Sequence, residues 1–354
     1  MVKKVLITGL GSIGQRHARC LKALYGENVE LHAYRTRGLK QTVKDSPSGL
    51  IADNETDPSS VNGIVKVFDN LNEALKEEYY AVFVTNPPDL HVETTKKALL
   101  AGANVFIEKP ISHNLDGIEE LIKISDENGL KVMVGHQLRY HIITRRMKEI
   151  LRDGIIGKLI SAEFVFGEYL PNMHAYEDYR ISHAVSEKRG GGAILSLNHD
   201  IDIACYLLGM PTRLFCMGGN LSSLEMDCED SAHILMEIKR KEGPMVVNVL
   251  LDFTQRPTRR QWLINGEKGA INVDLTKNSL TVTSYNNGKA EVLEESHKGF
   301  ERNKMFIGEI SDFFDSIDKN LDSPLGLAES YEIMKVAIMA KKSLKSGMLS
   351  EMSI

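Results

Sequence analysis

The chain has 354 residues, a formal net charge of -5, 42% hydrophobic and 26% charged residues. That length suits about two domains of ordinary size, and the composition excludes a disordered chain. The small negative balance argues against a nucleic-acid binder, which needs a basic face to displace phosphate counterions. No apolar run reaches the ~18 residues of a membrane span.

The opening run Lys3-Lys4-Val5-Leu6-Ile7-Thr8 is too short for the apolar part of a secretion signal and leads straight into glycines, so it reads as a strand. Cys20, Cys205, Cys216 and Cys228 are scattered with no CxxC pair. Reduced thiols in a cytoplasmic protein, with no metal, are the expectation.

Short apolar runs alternate with helical spacing as far as about Gly135. The runs are Lys4–Thr8, Val29–Tyr34, Ile64–Phe68, Ala81–Thr85, Asn104–Ile107 and Lys131–Val134. Ile13, His17, Cys20, Leu21 and Leu24 form one helical stripe, and Leu115, Ile118, Leu121, Ile122 and Ser125 another. Uniformly apolar strands with helices between them predict an α/β, doubly wound parallel sheet over residues 1–135.

Beyond Gly135 the spacing predicts a helix at Ile142–Leu151, a strand at Lys158–Leu170 and a helix at about Ala193–Leu208, stopped by Gly209 and Pro211. Strands are then expected at Arg213–Met217, Ala232–Ile238, Met245–Phe253, Arg260–Ile264, Ala270–Val273 and Ser279–Tyr285, with Asn286-Asn287-Gly288 as a hairpin turn. Helices at about Asn303–Lys319 and Leu327–Ser346 close the chain. Residues 136–354 thus read as an α+β domain with a mostly antiparallel sheet.

Gly9-Leu10-Gly11-Ser12-Ile13-Gly14 is a GxGxxG turn between the first strand and an amphipathic helix. Its glycines allow a tight turn, close backbone approach to a pyrophosphate and tight helix–strand packing, while the helix start offers unpaired N–H groups. The second strand ends in Arg35-Thr36-Arg37, with no acid to accept from a ribose hydroxyl. These residues suit a 2′-phosphate, hence NADP with NAD as the alternative, or they form a solvated loop. Asn86-Pro87-Pro88-Asp89-Leu90-His91 and Glu108-Lys109-Pro110 follow later strands, at the carboxyl edge where such sheets bind ligands. Pro110 keeps Lys109 out of a helix. Beside a cationic nicotinamide, the charged form of that lysine is disfavoured, which suits proton transfer.

The sequence resembles the Gfo/Idh/MocA oxidoreductases through Gly9-x-Gly11-x-x-Gly14, Thr85-Asn86-Pro87-Pro88-x-x-His91, Ala101-Gly102-Ala103-x-Val105-x-x-Glu108-Lys109-Pro110, Gly135-x-x-x-Arg139-Tyr140, Gly190-Gly191-Gly192 with His199-x-x-Asp202, and Gly266-Glu267-Lys268-Gly269. The resemblance implies a Rossmann domain, an open-faced sheet domain, NAD(P), dimers or tetramers through that sheet, and hydride chemistry on sugars. With the motif reading, it places Gly9, Gly11, Ser12, Ile13, Gly14, Arg35, Thr36, Arg37, Asn86, Pro87, His91, Glu108, Lys109 and Arg139 at the cofactor. Lys109 and His199 are the expected catalytic pair, with Tyr169, His174, Arg180 and Ser196 at the substrate. Asp202 either braces its helix or touches substrate.

One departure stands out. Many members carry a carboxylate three or four residues before the histidine, where this chain has Ser196 and Leu195, so the lysine–aspartate–histidine trio is incomplete. Tyr169 to Arg180 and Gln255 to Arg260 look like segments in members of surface-glycan and sialic-acid-like sugar pathways, although dimer contacts or a solvated loop remain open for the second. The expected activity is NAD(P)-dependent oxidation or reduction of a sugar CH–OH group. Glycoside cleavage by transient oxidation and a non-catalytic NAD(P)-binding regulator are the alternatives.

Overall fold

The computed structural model describes residues 2–36, 38, 40–46 and 49–352, with only the backbone at positions 45, 46 and 49. The early elements are β1 (Lys3–Thr8), α1 (Ser12–Tyr25), β2 (Val29–Tyr34), β3 (Thr42–Ser46), β4 (Gly49–Asp53), β5 (Ile64–Phe68), β6 (Ala81–Val84), α2 (His91–Leu100), β7 (Asn104–Glu108), α3 (Ile118–Asn128) and β8 (Val132–Gly135). Next come α4 (Ile142–Arg152), β9 (Leu159–Gly167), α5 (Ala193–Ser196), α6 (His199–Leu208), β10 (Arg213–Gly219), β11 (Ser231–Arg240), β12 (Gly243–Asp252), β13 (Arg259–Gly266), β14 (Gly269–Asp274), β15 (Ser279–Asn286) and β16 (Lys289–Ser296). The chain ends with α7 (Asn303–Asp318), α8 (Leu327–Ser346) and β17 (Ser350–Glu351).

Two compact units result. The first runs to Gln137 and takes in His174–Asp178 and Asn303–Glu332. The second comprises Leu138–Met173, Tyr179–Arg302 and the chain from Ile333 onward. The single change near Gly135 expected from the strand pattern thus becomes five crossings.

In the first unit six parallel strands lie in the order β5-β2-β1-β6-β7-β8. Every residue of β6 is buried, as are the last four of both β1 and β7, which is why these strands read as unbroken apolar runs. The order reverses between β1 and β6, and there the loops leaving neighbouring strands part and open a crevice. The return of α7 has a packing reason. Phe83 and Phe106 stack at 4.9 Å on the sheet, and Phe313 of α7 meets both rings at 6.0 and 5.7 Å. Without that helix the aromatic face would be wet. The β3–β4 hairpin forms a separate two-stranded sheet that the sequence pattern did not announce.

In the second unit nine strands form one sheet, β16-β15-β14-β13-β9-β12-β11-β10-β17. Only β9 and β12 pair in parallel; the other neighbours are antiparallel. Along β11 buried residues such as Ile234 and Met236 alternate with exposed His233 and Leu235. One face is therefore covered and the other open. The expected Ala193–Leu208 helix is interrupted at Leu197-Asn198, which form a turn between two helical segments. The expected strand to Leu170 ends at Gly167, and Leu170–Met173 forms one helical turn with Pro171 near its start.

Phe106→Ala removes the central ring of the first unit's aromatic cluster and is expected to cost about 3–5 kcal/mol. A urea unfolding midpoint unchanged from the parent protein would contradict that packing account.

Candidate cofactor cradle and active-site residues

The cradle is built around three glycines with three different reasons. Gly9 follows β1 at φ +115°, a left-handed conformation that disfavours any side chain, and its N–H donates to Tyr34 O at 2.8 Å. A Cβ on Gly14 would lie 1.9 Å from Gly9 O and 2.8 Å from Thr85 Oγ1, so only glycine lets α1 seat against the turn. Gly11 is the N-cap of α1, has ordinary backbone angles and receives no side-chain cap. A Cβ there would meet nothing within 4 Å. Gly11 borders open space at the positive end of a 14-residue helix whose first N–H groups have no intrahelical partner.

Polar side chains fix this turn from below. Gln15, fully buried, donates to Leu10 O (2.9 Å) and Gln41 O (2.8 Å) and accepts from Val43 N–H (2.8 Å), joining the glycine turn to β3. Thr85 Oγ1 donates to Gly9 O at 2.9 Å. Asn86 donates through Nδ2 to Thr94 Oγ1 at 2.8 Å, while its buried Oδ1 has no protein partner among the described residues. His91 is buried, with Nε2 2.7 Å from Asn86 O and Nδ1 2.9 Å from Pro110 O. Its ring ties the loop after β6 to the loop after β7 through these two backbone carbonyls. Burial pushes this imidazole toward its neutral form, against the two carbonyls, which together ask for both ring protons.

Glu108 is the last residue of β7 and is buried, with Oε1 2.6 Å from His17 Nε2 and Oε2 accepting from Lys109 N–H at 3.2 Å. Lys109 follows, half-buried, joined to Pro110 by a cis peptide bond. Gly9, Gly11, Ser12, Ile13, Gly14, Asn86, Pro87, Glu108 and Lys109 therefore belong to one unit, around the point where strand order reverses.

At the end of β2, Thr36 is exposed and Arg37 lies outside the described residues. Arg35 is not a bare cation: its Nη1 donates to Asp57 Oδ1 at 3.0 Å. Asp57 also accepts from Ser59 N–H and hydroxyl, and the Ser59 hydroxyl chiefly holds its carboxyl below the usual range. An acid does reach this corner, from a later segment than expected.

His174, expected at the substrate, belongs to the first unit. Its ring stacks on Tyr176 at 5.5 Å and its Nδ1 lies 3.4 Å from Glu177. Burial pushes the Tyr176 phenol up to about 12, against the nearby Ser12 side chain, which acts to lower it. The short strap His174–Asp178 thus reaches the glycine turn.

The other expected residues lie in the second unit. Arg139, expected at the cofactor, donates to Asp202 through Nε (3.0 and 3.2 Å) and Nη2 (2.7 Å), with its guanidinium 4.4 Å from the Tyr206 ring centre. Both partners are buried, so Asp202 braces α6 and these bonds hold Arg139. His199 opens α6 and is buried; Ser196 ends α5 and is half-buried, so the two sit on separate helical segments. Between them Asn198 is buried, with an Oδ1 lacking a partner among the described residues. Asp200, fully buried, accepts from Trp262 Nε1 and Arg260 Nη2, both at 2.6 Å. The glycine run is explained by packing: a Cβ on Gly192 would strike the Glu229 carboxylate at 2.3 Å, and one on Gly191 would strike His183 O at 2.6 Å. Glu229 accepts from Ile194 N–H at the start of α5. Tyr169 carries the Arg256 guanidinium 4.1 Å from its ring centre. Arg180 is exposed and paired with exposed Glu225, a contact worth little.

A model of the "Oxidoreductase family, NAD-binding Rossmann fold" matches residues 3–136, and one of the "GFO/IDH/MocA C-terminal domain" matches residues 144–272. The chain belongs to the GFO/IDH/MocA oxidoreductase family. A 2,7-anhydro-N-acetylneuraminate hydratase of Mediterraneibacter gnavus is 28% identical over 284 residues, 76% of this chain and 66% of that protein. The chain spans less than two thirds of the length of this and two further curated relatives, matched over 60% and 59% of their lengths. Among solved structures, a levoglucosan dehydrogenase in complex with NADH and levoglucosan superposes with a TM-score of 0.83 at 15% identity, over 99% of both chains. The myo-inositol 2-dehydrogenase of Lactobacillus plantarum gives 0.78 at 20%, over 100% of both. These likenesses confirm the fold.

For a family defined by an NAD-binding fold, the residues present fit the dinucleotide. The uncapped helix start, the space at Gly11 and the partnerless Asn86 Oδ1 are what a pyrophosphate and its sugars require. In the sequence reading Gln15 has neither a motif nor a role, while Thr85 and Asn198 have a place in motifs but no role of their own. A buried glutamine directly after the third glycine of the turn was the available signal for the first.

Gly11→Ala should fold with an unchanged melting temperature yet weaken NADH binding at least tenfold, whereas Gly14→Ala should lower the melting temperature as well. Calorimetric melts and fluorescence titration separate the two; equal NADH affinity in Gly11→Ala would remove Gly11 from the cradle.

Proposed function

We propose that the chain is a nicotinamide-dependent oxidoreductase acting on a CH–OH carbon of a sugar derivative. The observation that carries this is that Lys109 lies in the same unit as the cradle, at the carboxyl end of β7, one strand beyond the β1–β6 reversal point. When bound, the dinucleotide supplies the hydride acceptor or donor. Lys109 takes the hydroxyl proton in oxidation and returns it in reduction. His199 is the second proposed proton-handling residue, with an imidazole suited to neutral pH. Ser196 offers a hydroxyl where relatives carry a carboxylate, so it orients a sugar without adding charge.

The 28% identical relative is a hydratase of an anhydro-sugar acid, which favours a second form of the same chemistry, oxidation followed by re-reduction with no net change of cofactor. Incubation with NAD and either 2,7-anhydro-N-acetylneuraminate or levoglucosan distinguishes the two. Stoichiometric NADH marks the dehydrogenase; sugar conversion without NADH marks the redox-neutral form. No conversion of any sugar tried, with NADH bound normally, would leave only the regulator reading and sink the proposal. Lys109→Ala should keep NADH affinity and lose turnover by about 100-fold or more.

Cofactor choice is proposed to rest on Arg35. Its guanidinium favours a 2′-phosphate, while the Asp57 charge opposes one. Asp57→Asn should raise the NADP-to-NAD preference about fivefold, a change of roughly 1 kcal/mol. An unchanged ratio of the two dissociation constants would place selection elsewhere. The open face of the second unit, with Leu235 and Val246 about half exposed, is proposed to join copies of the chain into dimers or tetramers. Light scattering on Leu235→Glu tests this, with a monomer expected. Four buried free thiols support placing the protein in the cytoplasm.

A further inference from the structure

Within the first unit, α1, β7 and α7 enclose three ionisable side chains, of which only Glu108 is grouped with the cradle. His17 of α1, Glu108 of β7 and Glu309 of α7 are all buried, and one ligand-type atom of each lies within 4.8 Å of the others. The surroundings are rings: Phe83, Phe106 and Phe306 stand 5.3, 5.1 and 5.8 Å from the His17 ring centre. Neither carboxylate oxygen of Glu309 has a hydrogen-bond partner among the described residues.

The two carboxyl groups are not equivalent. Glu108 accepts from Lys109 N–H and shares a 2.6 Å hydrogen bond with His17. Burial works against its ionised form. The His17 hydrogen bond and the nearby Lys109 charge outweigh that and hold its carboxyl below the usual range. Glu309 has burial and the Glu108 charge acting on it, and both push its carboxyl well above the usual range. Two carboxylates so close, walled by hydrocarbon, cannot both carry charge. The proton goes to the group with no donors to receive.

We propose that His17, Glu108 and Glu309 form a buried proton-holding unit, with Glu309 a neutral carboxylic acid and Glu108 the single carboxylate, and that this fixed negative charge immediately before Lys109 favours the ammonium form of the lysine. The groups facing the cluster are His17 from α1, Glu108 and Lys109 from the end of β7, His91 from the start of α2 and Glu309 from α7. Glu108 and Glu309 are positioning residues, acting on chemistry only through Lys109. The last clause gains its catalytic meaning from the reading of Lys109 given above; the protonation of Glu309 does not depend on it.

Two measurements on the full chain test this without a substrate. Infrared difference spectra of the protein against Glu309→Gln should show a protonated carboxyl band that the variant lacks, with the melting temperature little changed, since a neutral amide replaces a neutral acid. No such band, or one divalent metal ion per chain that Glu309→Gln loses, would overturn the proposal. The second follows Lys109 by carbon-13 NMR of reductively methylated protein, with its resonance assigned by disappearance in Lys109→Arg. Loss of the anion disfavours the ammonium, so in Glu108→Gln the titration midpoint should fall by about one pH unit, and in Glu309→Gln it should stay. An unmoved midpoint in a folded Glu108→Gln, or a shift in Glu309→Gln, would refute the coupling. If Glu108→Gln fails to fold, the infrared arm and the Glu309→Gln titration still decide. Failure of the catalytic reading itself would show elsewhere, as full turnover in Lys109→Ala.

Discussion

Helix α1 seats against the first turn because position 14 has no side chain. Any Cβ there would overlap the carbonyl of Gly9, and the helix would have to back away from β1 and from Thr85. The helix start would then no longer face the space beside Gly11, and the dipole and N–H groups that favour a pyrophosphate would be misplaced. His17 rides on the same helix one turn further along. The distance that aims the cradle therefore also sets the bond between His17 and Glu108, and through it the charge before Lys109.

Around that contact the unit spends its buried polar groups on backbone. Gln15 bonds three main-chain atoms, Thr85 holds Gly9 O, and His91 faces two carbonyls. The loops after β1, β6 and β7 are thus locked to one another by side chains that need never touch a ligand. In the second unit Asp202 grips Arg139 and Asp200 grips Trp262 and Arg260. Each is a buried ion that would be costly to strand alone. Residues that first look like binding groups here serve largely to fix the geometry of their neighbours.

Legibility from sequence followed physical locality. Strands β1, β6 and β7 are buried from both sides, so their apolar runs were visible, and the glycine turn declared itself because its constraints fall within six residues. Strand β16 was invisible because nearly all of its residues are exposed and carry no alternation. The Arg35–Asp57 pair spans 22 positions and Glu108–Glu309 far more; no periodicity encodes such meetings. Helix α7 was foreseen as a helix but assigned to the wrong unit, since an apolar stripe says that a face is covered without saying by what. The break at Leu197-Asn198 was missed because the stripe continues across it.

Strand β13 serves two masters. Trp262 points inward and anchors Asp200, whose chain neighbour is His199, while Gln261 and Leu263, pointing the other way, lie half-buried on the uncovered side of the sheet. A rigid strand cannot shift one set of side chains and leave the other still. A displacement of the strand from its uncovered side is thus felt at Asp200 through an indole and a guanidinium together, so the two faces of this sheet are mechanically linked.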